Sequence, residues 1–129
     1  MSSNSGSSVR SYRDLVVWQQ AIALGVVCYA KTKAFPRSEM YGMTQQIRRA
    51  SASVPANIAE GNGRESTGSY IQFLRVAQGS LKELETHVLL SNMVELMPKQ
   101  DCDEVLERFE NVGKLLRSLI RALQQKDPK

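Results

Sequence analysis

This chain lacks most of the features that announce a function. In 129 residues it has one histidine, His87, and two cysteines, Cys28 and Cys102. The cysteines lie far apart with no ligand spacing around them, which excludes a disulfide framework and gives no metal motif. A reducing cytoplasm suits such usage. No apolar run approaches the ~20 residues that span a bilayer, and the longest, from Ala21 to Ala30, is about half of that. The start, MSSNSGSSV, has no basic segment followed by an apolar one, so it is no secretory signal. It reads instead as a disordered Ser/Gly tail over residues 1–11, ahead of one domain at 12–126. Aromatic residues make up only 6% of the chain and fall mostly at core spacing, which disfavours a row of stacking platforms for single strands. No stretch alternates like a half-buried strand.

Catalysis lacks its usual parts. His87, in ELETHVLL, borders an apolar helix face and suits packing better than proton transfer. Glu83 and Glu85 are two apart and diverge on a helix, while Glu60 and Glu83 have room to approach across the second and third helices. There is no nucleophile–base arrangement and no metal-binding cluster. The expectation is a protein that is not an enzyme, with no catalytic residue, no metal and no cofactor.

What the sequence does have is one period, repeated. Leu15, Trp18, Ile22, Gly25 and Tyr29 step as one helix face must, with Ser11 and Asp14 as a capping pair ahead of them. Phe35-Pro36 stops that helix, and Ser38 and Glu39 suit the next start. The second helix shows Met40, Met43, Ile47, Ala50, Val54 and Ile58. Pro55 interrupts it, but Ile58 keeps phase with Val54, so the spacing predicts a kinked continuation rather than two elements. Gly61 is placed as a left-handed C-cap. The third helix starts at Ser66 or Ser69 and buries Tyr70, Phe73, Ala77, Leu81, Leu84 and Val88. Pro98 closes the segment after it. The fourth starts near Asp101 and buries Val105, Phe109, Val112, Leu116, Leu119 and Leu123.

Four such helices with short connections make an all-α protein, an antiparallel up-down-up-down four-helix bundle. The first helix is also apolar at Val16, Val17, Leu24 and Val27, and the third at Ile71, Val76 and Leu90. Helices greasy on several sides are usually covered on several sides, so a homo-oligomer is expected.

The stretch VPANIAEGNGRES does not supply a phosphate loop, which needs G-x-x-x-x-G-K-[ST]. Its glycines read as helix punctuation, although a phosphate has room beside Arg64 at the start of the third helix. Ser53, Asn57, Glu60 and Arg64 recur at helical spacing and form a polar stripe, expected to satisfy backbone groups freed by Pro55 or to fix helix register.

The chain carries a net charge of +4, unevenly spread. Residues 1–58 hold seven Lys/Arg against two Asp/Glu; residues 99–111 hold two against five, and 112–129 five against one. Part of this matches charge to helix dipoles. The remainder gives candidate phosphate contacts: Arg37, Arg48, Arg49 and Arg64 around the second helix, and Lys114, Arg117 and Arg121 along one face of the fourth. Backbone recognition fits these residues better than base reading.

LVVWQQAIAL, FPRSEMYGMTQQIRRASASVPANIAEGNGRES and FLRVAQGSLKELETHV, in that order, resemble the bacterial four-helix-bundle proteins encoded in intervening sequences of large-subunit rRNA genes. The same family includes the accessory variability proteins of diversity-generating retroelements. The resemblance covers about residues 12–124. It implies a homopentameric ring with a basic surface and, for retroelement members, binding of nucleic acid and of a reverse transcriptase. The family's motif positions fall on Arg48, Asn57, Glu60, Gly61, Arg64, Gly79, Ser80 and Glu83. Pro55 departs from many relatives. The leading expectation is an oligomeric protein associated with RNA or DNA. The alternative is an adaptor docking a reverse transcriptase, and the weakest is a small-molecule binder or enzyme using the Asn57/Glu60 stripe.

Overall fold

The computed structural model describes residues 11–126, so the tail expected over 1–11 falls, apart from Ser11, outside the described residues. Four α-helices are present: α1 (Val16–Thr32), α2 (Met43–Asn62), α3 (Thr67–Met93) and α4 (Lys99–Lys126). No strand occurs among the described residues. Each helix packs on the next and α4 closes back on α1, while α1/α3 and α2/α4 are the diagonal pairs, with no Cα atoms within 8 Å of each other. Neighbours run antiparallel. Lys31 at the end of α1 pairs with Asp101 and Glu104 at the start of α4, while Gln20 near the start of α1 meets Asn111 further along α4.

Leu24, Ile47, Ile58, Leu74, Leu84, Val105 and Leu116 are sealed from solvent in the centre. Burying each such side chain contributes about 1.5–3 kcal/mol. For α2, α3 and α4 the core stripes follow the periodicity closely; Tyr70, Phe73, Leu119 and Leu123 are half-buried at its edge, and Met40 is exposed.

For α1 the expected face is wrong. Val17, Ala21, Leu24 and Cys28 point inward, while Ile22 and Tyr29 are exposed and Leu15, Trp18 and Gly25 are half-buried. The helix carries two apolar stripes, and the inner one is made of smaller side chains that let α1 approach its neighbours. Its backbone nears that of α2 at Gly25, where a Cβ would stand 4.0 Å from the Ser51 carbonyl oxygen.

Local signals mark most helix ends. Ser11 and Asp14 form a capping box on a short 3-10 turn, Tyr12–Asp14, and α1 begins only at Val16. The Glu39 carboxylate accepts the Met43 N–H at 3.1 Å, so a side chain four residues upstream satisfies a free donor of α2. Ser66 caps α3 by accepting the Ser69 N–H. Helix α4 begins at Lys99, directly after Pro98, slightly earlier than expected. Glu95 occupies the left-handed region (φ 67°) in the α3–α4 turn, a place glycine usually takes.

Pro55 lies inside one continuous α2, as its phase predicts. Gly61, however, is not a C-cap. It sits inside the helix, no glycine among the described residues has positive φ, and α2 ends through Gly63. Gly61 is needed for proximity: a Cβ there would lie 2.8 Å from the Phe73 Cβ and 3.1 Å from the Tyr70 carbonyl oxygen. The short α2–α3 connection folds the two helices back on each other at this point.

Alanine normally stabilises a helix interior over glycine by roughly 1 kcal/mol. Gly61→Ala is expected to do the opposite and lower the denaturant midpoint. Gly68→Ala, where a Cβ meets nothing within 4 Å, is expected to raise it. Equal midpoint shifts for the two variants would show that α2 and α3 are not this close.

Candidate nucleic-acid interface

The basic residues divide into two groups on one copy. Arg37 lies in the turn before α2, and Arg48 and Arg49 lie in its first half. Lys114, Arg117 and Arg121 lie along the second half of α4. Because α2 and α4 are diagonal, their outer faces look in opposite directions. A single copy does not bring the two groups together.

The groups also differ in what their side chains are already doing. Arg37, Arg49, Lys114, Arg117 and Arg121 are exposed and make no ion pair or side-chain hydrogen bond among the described residues. Arg48 is engaged in holding α1 to α2. Its Nε donates to the Thr32 Oγ1 at 2.9 Å, an Nη donates to the Tyr29 carbonyl at 3.4 Å, and its guanidinium lies 4.7 Å from the Tyr29 ring centre. Thr32 Oγ1 in turn donates to the Cys28 carbonyl, so this arginine is fixed in place. Arg64 is similarly occupied. It pairs with Glu60 at 2.6 Å and lies over the Phe73 ring at 4.6 Å, tying the α2 end to α3. The start of α3 beside it is already capped by Ser66, which leaves less there for a phosphate.

The polar stripe behaves as a seam. Asn57 Nδ2 donates to the Ser53 carbonyl and hydroxyl, and the Ser53 hydroxyl meets that of Ser80 on α3 at 2.7 Å. The stripe therefore fixes the α2–α3 register. It does not serve the carbonyl freed by Pro55, which is that of Ser51, because the stripe turns toward α3 and Ser51 faces α1. Glu60 bonds to Arg64 instead.

With Ser53 opposite Ser80 and Gly61 opposite Phe73, Glu60 and Glu83 lie about ten residues out of register, roughly 15 Å along the seam. The expected approach of these carboxylates does not occur. His87 Nε2 is 3.5 Å from a Glu83 oxygen on the same helix, without hydrogen-bond geometry. No group of metal-ligating side chains forms among the described residues. Cys28 is sealed in the core, and burial pushes its thiol up to about 12, so it stays protonated and inert near neutral pH.

Two surface features escaped the periodicity. Between α1 and α2 runs an open apolar groove of about 630 Å³, bordered by Trp18, Ile22, Val26, Tyr29, Pro55 and Ala59. Beyond Tyr29 it meets a second hollow of about 430 Å³ that includes Met40, Tyr41, Gln45, Arg48 and Arg49. Tyr41 is 89% exposed. Tyr29 was assigned to the core by its helical spacing and Tyr41 to no face. The sequence signal for both is the placing of Tyr29 and Tyr41 on the two sides of Pro36, with Arg37, Arg48 and Arg49 following it.

A four-helix, antiparallel all-α protein with cations left free on two opposite faces is thus defined. The chain belongs to the 23S rRNA-intervening sequence protein family, whose model matches residues 13–118. A crystal structure from Bacteroides thetaiotaomicron, a protein with unknown function from the S23 ribosomal protein family, superposes with a TM-score of 0.73. It is 24% identical, and the alignment covers 81% of this chain and 98% of that one, which establishes a shared fold. No curated protein matches the chain. No helix among the described residues is long and apolar enough to cross a membrane.

Because Asn57 serves the seam, Asn57→Leu is expected to cost about 1 kcal/mol of unfolding free energy, the net worth of a lost hydrogen bond. Its affinity for nucleic acid should stay as in the unsubstituted protein. Unchanged melting with abolished binding would reassign Asn57 to a ligand contact.

Proposed function

We propose that this protein is a non-enzymatic homo-oligomer that associates with nucleic acid through phosphate contacts. The observation that carries this reading is the set of cations left unpaired on the folded surface: Arg37 and Arg49 at one corner, and Lys114, Arg117 and Arg121 on α4. Other cations are neutralised locally, as Lys31 is by Asp101 and Glu104 and Lys99 by Asp103. Cations without such partners are free to displace the counterions of a phosphate backbone. Membership in a family named for an rRNA intervening sequence accords with this role.

Assembly supplies what one copy lacks. Val16, Ile22 and Val26 leave a wide apolar surface on α1, and Leu90, Met93 and Val94 leave another at the end of α3. These are two different surfaces, and pairing one with the other between copies is a head-to-tail contact that closes as a ring when the rotation allows. A pentamer is the form the family resemblance implies. Repetition would then place many weak phosphate contacts within reach of one strand. The adaptor alternative, docking of a reverse transcriptase, draws on the same apolar end of α3.

Light scattering at micromolar concentration is expected to give a particle several times the monomer mass; a monomer alone would remove the assembly. Binding of a labelled RNA or DNA is expected to weaken linearly in log–log form as salt rises. Replacing Lys114, Arg117 and Arg121 together by Gln should flatten that slope by about two to three for each copy that engages the strand, at ~0.7–0.9 per lost phosphate contact. Folded protein that binds neither RNA nor DNA at low salt would exclude the electrostatic mechanism.

A further inference from the structure

We propose that the hollow between Tyr29 and Tyr41 binds one unpaired nucleotide of a single strand, stacking its base on Tyr41 and holding its phosphate at Arg49. The inference rests on the nucleic-acid reading above and gives that surface a defined ligand.

Tyr41 is the most exposed of the large apolar side chains, and its hydroxyl makes no hydrogen bond among the described residues. It stands between the 3-10 turn Arg37–Glu39 and the first turn of α2. An aromatic side chain left this bare and unused forfeits a large burial gain, unless a partner covers it. Its neighbours indicate which partner. Across the hollow, Tyr29 is held by the Arg48 guanidinium over its ring, and Arg48 is itself fixed by Thr32. Arg49 is exposed and uncommitted, and Gln45 adds an amide able to donate to and accept from a base edge. No acidic residue lines the hollow, and Glu39, in the adjoining turn, accepts the Met43 N–H.

Aromatic faces interleaved with arginines are the recurrent means of holding unpaired nucleotides, because every base offers a face to stack and every nucleotide a phosphate to pair. A duplex buries those faces in its own stack, so it engages the arginines and leaves Tyr41 unused. The hollow, at about 430 Å³, falls within the ~300–1,000 Å³ usual for small-ligand sites. The larger groove between α1 and α2 is lined mainly by apolar groups and has no arginine, which suits a protein surface better than a nucleotide.

The test measures binding of the full chain to a labelled single-stranded RNA 12-mer and to a duplex of equal length at one low salt concentration. Tyr41→Ala is expected to weaken the single strand about tenfold or more and leave the duplex unchanged. Tyr41→Phe should restore the strand. Arg49→Gln should weaken both and reduce the salt slope by about one. Free AMP should compete only at millimolar levels; competition at micromolar levels would make a free nucleotide the ligand and overturn the strand assignment. If the unsubstituted protein binds both nucleic acids and Tyr41→Ala binds the strand equally well, the pocket is wrong and the electrostatic reading stands. If the unsubstituted protein binds neither, both fail. A changed particle mass for Tyr41→Ala in light scattering would show a contact between copies instead, and would also overturn the pocket.

Discussion

The close approach of α2 to α3 is the constraint on which the remaining structure depends. At Gly61 the two helices leave no room for a methyl group. From that point the register runs back through Asn62 and Tyr70, Arg64 and Phe73, and Ser53 and Ser80. The seam holds the inner side of α2 to α3 and the core. Arg49, one turn before Ser53, is left exposed on the outer side of the same helix. The position of the basic corner is a consequence of packing on the other side of the same helix.

That division separates two kinds of arginine that look alike in sequence. Arg48 and Arg64 each lie against an aromatic ring and bond to a fixed acceptor, which makes them fasteners between helices. Their guanidinium groups suit this work because they can stack and hydrogen-bond at once. Arg49 and the α4 cations have no such engagement. The favourable electrostatics of the surface come from the second kind. The rigidity that gives the surface a shape comes from the first.

Much of the fold was legible. Val54 and Ile58 kept phase across Pro55, and the helix is continuous. The start of α3 is legible as Ser66 or Ser69, and packing of the chain settles it at Ser66, whose hydroxyl accepts the Ser69 N–H. The failures have a common cause. In α1, apolar residues cover most of the circumference, so spacing alone supports either the Trp18/Ile22/Tyr29 stripe or the Val17/Leu24/Cys28 stripe. Gly61 reads as a C-cap because glycine is common there; the alternative reason for glycine, a neighbour too near for any side chain, is a property of two helices and not of one.

The sequence by itself determined that there are four helices, where most of them begin and stop, and that surplus positive charge lies around α2 and late in α4. These are matters of local periodicity, capping and charge order along the chain. Only the tertiary structure decided which side of α1 faces inward, which arginines are consumed as fasteners, and that Tyr29 and Tyr41 flank one basic hollow. Those outcomes depend on distances between residues remote in sequence, set by the closest packing that four side-chain surfaces permit together.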